Sequence, residues 1–212
     1  MNNKTTTPES VYLATLLDEK DIQHIKSRLL VETTWVSHVN RNNYQGSWDV
    51  LSLRCLNRHK EAHPILQCFT HDDPVHNELS SSQNQGWVNL PLMEQYPAIH
   101  KVFSYLQCPI KSIRFMRLGP KDKILPHRDE GVSLQWGEAR LHIPIISTPL
   151  VNFIVASHKV NMNPGELWYI DADKEHSVEN NGSQERVHLV IDCLSNNWLK
   201  DKVSSAINKL CQ

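Results

Sequence analysis

No C-x-x-C pair occurs in the 212 residues, although the chain has five cysteines, at positions 55, 68, 108, 193 and 211. That absence removes the zinc ribbon and the dithiol redox motif. An odd, scattered set reads as reduced intracellular cysteine. Charge of one sign is also missing. Lysine plus arginine number 22 against 23 for aspartate plus glutamate, a formal charge of −1, which offers no grip for nucleic acid or an acidic membrane. No apolar run reaches the ~18 residues of a membrane span, and Met1-Asn-Asn-Lys-Thr-Thr-Thr-Pro8 lacks the apolar region of a signal peptide. Internal repeats and domain breaks are absent too. What remains is 40% hydrophobic residues with mixed charge, an ordinary globular composition. The expectation is one soluble, cytoplasmic domain over 1–212, with a small-molecule partner rather than nucleic acid or membrane. It divides into a helical and mixed part (1–110), a β core (111–195) and a closing helix (196–212).

Taken in order, residues 10–31 read as helical, with Leu13, Leu16, Leu17, Ile22, Ile25, Leu29 and Leu30 near helical spacing and Asp18 or Asp21 able to cap a second helix. Thr33–Asn40 and Trp48–Arg54 suit strands around a turn that places Gly46 for a positive φ. Trp35, His38, Asn40, Tyr44 and Trp48 form either an amphipathic sheet face or a pocket wall. Residues 70–86 are a polar loop, a lid or a crossing, in which His71, Asp72, Asp73 and His76 make a weak metal set. Pro91 opens one helix over 91–107. From 111 onward, about eight short apolar strands alternate with Pro/Gly turns, the pattern of a sandwich, barrel or jelly roll.

The chemistry centres on Leu125-Pro-His-Arg-Asp129. In an extended strand the side chains of His127 and Asp129, at i and i+2, share a face, and Arg128 points away. With His176 from a later strand they make two histidines and one carboxylate, the facial triad of non-heme Fe(II) oxygenases. Arg186 stands on an apolar strand, where a buried cation needs an anion. Two anions suit it: a core aspartate such as Asp192, or the far carboxylate of a two-acid cosubstrate such as 2-oxoglutarate, gripped by the guanidinium fork. Arg140 and His142 add donors on one strand face. His188 shares parity with Arg186 and lines the pocket or packs in the core. Arg114 shares parity with Met116, facing inward to hold a substrate carboxylate. Trp136 and Trp168 are expected to pack.

Six ordered blocks carry a resemblance: Arg-Phe-x-Arg-Leu-Gly-Pro, Pro-His-x-Asp, Arg-Leu-His-Ile-Pro, Pro-Gly-Glu-Leu-Trp-Tyr, Glu-His-x-Val-x-Asn and Arg-x-His-Leu-Val-Ile-Asp, over residues 111–199. Their order resembles the aspartyl/asparaginyl β-hydroxylase family, within the Fe(II)/2-oxoglutarate-dependent dioxygenase superfamily. The bacterial branch with free-amino-acid hydroxylases such as proline hydroxylases is the nearer likeness. The resemblance implies a mainly β, double-stranded β-helix (jelly-roll, cupin-like) fold with flanking helices, which binds Fe(II), 2-oxoglutarate and O2. It assigns His127, Asp129 and His176 to iron, Arg186 to the distal carboxylate of 2-oxoglutarate, and Arg140 and His142 to the cosubstrate. Asp129 stands where some animal relatives have glycine, which favours hydroxylation over halogenation. Met116 stands where they have a serine. The expected reaction is hydroxylation of an unactivated C–H bond in an amino acid or small derivative. Two alternatives are hydroxylation of an Asp, Asn or Pro side chain in a peptide, or of a lipid acyl chain. A third is a non-catalytic cupin-like protein that binds a metal or small molecule.

Overall fold

The computed structural model describes residues 9–68 and 86–210. The 70–85 part of the expected lid, including His71, Asp72, Asp73 and His76, therefore lies outside the described residues.

Repeated crossings between two antiparallel sheets organise the chain. Strand β6 (Ile110–Leu118) passes to β7 (Lys123–His127), then to β8 (Glu138–Ile146), β9 (Val151–Val155) and the short β10 (His158–Lys159). The chain continues through β11 (Glu166–Ile170), β12 (His176–Asn180) and β13 (Arg186–Leu194). Strands β6, β8, β11 and β13 fall in one sheet, and β7, β9, β10 and β12 in the other. From β6 to β13 the chain thus crosses repeatedly between two facing sheets, which is a double-stranded β-helix, or jelly roll. The N-terminal part extends both sheets. It gives β1 (Ser10–Thr15), β2 (Val36–Ser37), β4 (Trp48–Leu56) and β5 (Trp87–Asn89) to the larger sheet, and β3 (Tyr44–Gln45) to the smaller. The larger sheet runs β1-β11-β8-β13-β6-β4-β2, with β5 on β4, and the smaller runs β10-β9-β12-β7-β3.

Period-two alternation sorts the side chains of the larger sheet. One face carries Ile113, Phe115, Leu141, Ile143, Leu189 and Ile191 into an apolar core with Ile22, Ile25 and Leu29 of α1 (Glu19–Leu29), Ile99 and Val102 of α2 (Ile99–Tyr105), and Leu199 and Val203 of α3 (Asn197–Leu210). Each such side chain contributes about 1.5–3 kcal/mol by burial. The other face looks between the sheets, where Val50, Leu118, Ile124, Phe153 and Val178 form a second, smaller core.

Two helical expectations are corrected. Residues 10–15 form strand β1, paired with β11, and helix begins only at Glu19. Leu16 and Leu17 belong to the link, where both N–H groups donate to the Gly165 carbonyl. Asp18 does cap α1, in a reciprocal capping box with Asp21. The single helix over 91–107 is a 3₁₀ turn, Pro91–Gln95, followed by α2. The break falls at Tyr96, whose φ of −124° and ψ of 65° fit the steric exclusion of helical backbone before proline, here Pro97. Gly46 does adopt φ +84°, and a Cβ there would lie 1.8 Å from Asp122 Oδ1. That carboxylate instead accepts from the Ser47 N–H (2.8 Å) and hydroxyl (2.7 Å), tying the β3–β4 turn to the end of β6. Among the described residues, no helix is long and apolar enough to cross a membrane.

Candidate active site

His127 ends β7 and His176 begins β12, and the two are cross-strand partners. Their rings meet with centroids 4.3 Å apart. Asp129 joins them, and one ligand atom from each of the three lies within 4.8 Å of the others. The route differs from plain strand alternation, because β7 stops at His127 and Asp129 lies beyond its end. The Asp129 N–H donates to the Ala172 carbonyl (2.9 Å). The surrounding loop is stapled by Asp173, whose carboxylate accepts from Gly131 N–H (2.9 Å) and Trp136 Nε1–H (3.3 Å). Arg128 is exposed and lines the cleft below, so it does not turn away as strand geometry predicts.

Both imidazoles are held for ligation. Nδ1 of His127 lies 2.8 Å from the Leu125 carbonyl, and Nδ1 of His176 lies 2.9 Å from the Lys174 carbonyl. A carbonyl only accepts, so each Nδ1 carries the hydrogen and each Nε2 presents a lone pair, the arrangement metal-binding histidines use. Burial drives His176 down to about 4, which keeps it neutral. Burial would raise Asp129, but the Arg140 guanidinium, with His176 and His127, outweighs it and holds the carboxyl below its ordinary value.

Arg140 is the first link of a charge ladder. It bonds Asp129 through Nη1, then Asp192 through Nε (2.7 Å) and Nη2 (3.2 Å). Asp192 also meets Arg114 Nη2 at 2.8 Å, and Arg114 Nη1 donates to Ser112 Oγ (2.7 Å). Burial opposes ionisation of Asp192, but Arg114 and Arg140 drive its carboxyl far below the usual carboxylate range. This ladder answers the question left open for Asp192: it pairs with Arg140 and Arg114, not Arg186. Arg114, Arg140 and Asp192 line a cleft of about 630 Å³ together with His127 and Asp129.

Arg186 sits apart from the ladder, 2% exposed. Its Nη2 donates to His188 Nδ1 at 2.8 Å, and its guanidinium lies 5.6 Å from the Phe153 ring centroid. Burial alone lowers it to about 9, with no carboxylate offsetting the loss of hydration. Its Nε has no hydrogen-bond partner among the described residues. Because His188 Nδ1 accepts, the N–H of that ring falls on Nε2, which is also buried without a partner among the described residues. His142 stands 3.3 Å from His188, Nδ1 to Nδ1, with its ring against Phe153 (5.4 Å). Burial, then Arg186, Arg140 and His176, push it well below its ordinary value. Of the expected cosubstrate residues, Arg140 is thus engaged at Asp129, while His142 and His188 gather around Arg186. Met116 lines the cleft.

Part of the cleft wall comes from the N-terminal part. His38, Asn40, Asn43 and Trp48 line it, so part of the polar-aromatic group is a pocket wall. Trp35 instead takes the Arg117 guanidinium on its ring at 4.3 Å. Lys111, Glu130 and Glu138, which no motif or spacing singles out, also line the cleft. Trp136, expected to pack, is 61% exposed at the rim. Trp168 is half-buried, edge-on to Tyr12 at 5.8 Å.

Residues 18–196 match the family model for Aspartyl/Asparaginyl beta-hydroxylase. The chain belongs to that family. It is accordingly an enzyme of the hydroxylase class. Its fold is similar to that of a 2OG-Fe(II) oxygenase family oxidoreductase from Burkholderia pseudomallei, with TM-score 0.51 and 14% identity over 89% of this chain and 86% of that one. The epimerase SnoN of nogalamycin biosynthesis gives TM-score 0.52 and 11% identity over 89% and 78%. SnoN has also been seen in complex with Fe3+, alpha ketoglutarate and nogalamycin RO, and in that form it gives TM-score 0.52 and 10% identity over 89% and 80%. The residues of the hydroxylase fit both groups. A metal finds three converging donors with both Nε2 lone pairs free, and a dianionic cosubstrate finds a buried cation with an orphaned donor.

Proposed function

We propose that this hydroxylase oxidises an unactivated C–H bond of an amino acid or small amino-acid derivative, in the cytoplasm, within one catalytic domain. His127, Asp129 and His176 hold Fe(II), and Arg186 takes the distal carboxylate of 2-oxoglutarate, with His142 and His188 beside it. One observation carries the reading: on the face where the triad gathers, Arg186 is buried as a cation with no carboxylate of its own among the described residues. When bound, Fe(II) would activate O2, the oxidant, while 2-oxoglutarate would supply two of the electrons that O2 takes up and be oxidised to succinate and carbon dioxide. The chain itself holds the histidines in one tautomer, fixes Asp129 through Arg140, and shapes the cleft that brings the substrate to the metal face.

The lining of the cleft favours a charged small molecule over a lipid acyl chain. Arg114, Lys111 and Arg128 stand there with Glu130 and Glu138, a mixture that suits a zwitterion. Arg114 is the anchor for the substrate carboxylate. Anaerobic titration tests the reading: Fe(II) followed by 2-oxoglutarate should raise a weak visible charge-transfer band, and admitting air should yield succinate. His127→Ala and His176→Ala should each remove the band while the chain stays folded. If neither band nor succinate appears with the unaltered protein, it is a cupin-like binder without turnover.

A further inference from the structure

His38 follows β2 and lines the cleft that His127 and Asp129 also line. Its ring is clamped by packing. It stacks on Trp48 with centroids 3.7 Å apart and planes 6° from parallel, and Tyr44 meets it edge-on at 6.3 Å. Trp48 in turn lies 6.0 Å from the His127 ring. The backbone is fixed as well: the His38 N–H donates to the Trp48 carbonyl (2.7 Å), and the His38 carbonyl accepts from the Tyr44 hydroxyl (3.2 Å).

The tautomer follows from one contact. His38 Nδ1 lies 3.2 Å from the Asn40 backbone N–H. A backbone N–H only donates, so Nδ1 accepts and the ring hydrogen is on Nε2. That Nε2–H has no hydrogen-bond partner among the described residues. The charged and titratable groups that bear on the ring are Arg114, Asp129, His127 and His63. Burial, and then the Arg114 guanidinium, hold the imidazole neutral, down to about 4. A neutral donor in the same cleft as a guanidinium can share one carboxylate with it and adds no like-charge repulsion.

We propose that His38 is a substrate-positioning residue whose Nε2–H, with Arg114, holds the carboxylate of the substrate. The inference rests on the amino-acid reading above and sharpens it. The carboxylate binds at the His38–Arg114 wall, and the rest of the molecule is presented toward His127, Asp129 and His176. A ring locked by stacking and by the Asn40 N–H sets direction as well as affinity, so its loss disturbs aim along with binding.

His38→Phe keeps the stack on Trp48 and deletes the donor, together with the Nδ1 that accepts from the Asn40 N–H, whereas His38→Gln restores a donor without the ring. Free L-amino acids, tested one by one, are titrated calorimetrically into the anaerobic Fe(II)- and 2-oxoglutarate-loaded protein. The amino acid that binds the unaltered protein should bind His38→Phe about 10-fold or more weakly, as expected for a lost hydrogen bond to a charged group. The band and the 2-oxoglutarate affinity should stay unchanged. In air, the variant should form less hydroxylated product per succinate, and His38→Gln should recover part of both losses. Equal amino-acid affinity in His38→Phe overturns the proposal. If the band forms but no free amino acid binds, this proposal and the amino-acid reading fall together, and the Fe(II)/2-oxoglutarate assignment survives. If no band forms, that assignment fails first. Should His38→Phe not fold, nitrogen NMR of histidine-labelled, Zn(II)- and 2-oxoglutarate-loaded unaltered protein decides. The His38 Nε2–H signal should shift when the amino acid that binds is added, and an unmoved signal overturns the proposal.

Discussion

Strands β8 and β13 carry two different interiors on their two faces. Backward, Leu141, Ile143, Leu189 and Ile191 are buried among helices and other apolar side chains. Forward, at the alternate positions of the same strands, stand Arg140, His142, Arg186, His188 and Asp192, all of them buried or half-buried. The back face lowers free energy simply by leaving water. The front face contains groups that lose hydration and recover it only through partners, and the recovery is uneven. Asp192 has two guanidinium partners, whereas Arg186 has an imidazole and an aromatic ring. Where the protein completes its own charge pairs it is building a scaffold, whose Arg114 also lines the cleft, and where it leaves a buried cation short of an anion it is holding a place for a ligand.

Asp192→Asn should break the scaffold half of the front face. Arg114 and Arg140 would lose the carboxylate they share and Asp129 would lose its brace, so the loss of folding stability should be about 3–5 kcal/mol. Urea midpoints check this, and a change below about 1 kcal/mol would show that the ladder is not structural. On the back face, Ile143→Ala, at a fully buried position, should cost roughly 2–5 kcal/mol from lost burial and the cavity left behind. It should leave 2-oxoglutarate affinity untouched. A large affinity change there would mean that the two faces are not independent.

Arg186→Met gives the sharpest contrast. Cosubstrate affinity, read from the charge-transfer titration, should fall about 100-fold, the loss of one partner of a desolvated charge pair. Yet the metal- and cosubstrate-free variant should be at least as stable as the unaltered protein, because a buried cation without an anion has been replaced by an apolar chain. A destabilisation like that of Ile143→Ala would show that Arg186 already has its partner within the fold.

The same contrast explains what the sequence could reveal. Alternation and Pro/Gly turns disclosed the β run, and the ligand types disclosed the triad, because each is local or chemically rare. Strand β1 was hidden because Leu13, Leu16 and Leu17 mimic helical spacing, although Leu16 and Leu17 sit in a link bonded to Gly165. Pro97 does mark the break before α2, but the apolar spacing on either side of it overrides that mark in a sequence reading. Parity correctly put Arg140 and His142 on one face. It did not show that Arg140 turns to Asp129 while His142 turns to His188, because that depends on which charges a facing strand supplies. His38 was visible only as one of five polar and aromatic residues. Its role comes from the stack on Trp48 and the Asn40 N–H, both consequences of the fold.

The smallest effect should separate His38 from the rest of the front face by pH. The unfolded chain protonates a histidine near 6.5, and the folded protein protonates His38 only near 4. Between those values the unfolded state binds the extra proton, so this group's contribution to stability is complete above about pH 6.5 and is lost as the pH falls toward 4. From pH 7 to pH 5 the loss from this one ring is at most about 2 kcal/mol, reduced by the water that reaches it from the cleft. His142 and His188 are depressed as well, so the metal-free unaltered protein should lose more than that. The difference between it and His38→Phe isolates the one ring. Urea midpoints at pH 7, 6 and 5 should fall less steeply for His38→Phe, and parallel slopes would mean that the His38 imidazole is hydrated in the folded protein and free to take a proton, contrary to a ring sealed between Trp48 and the cleft.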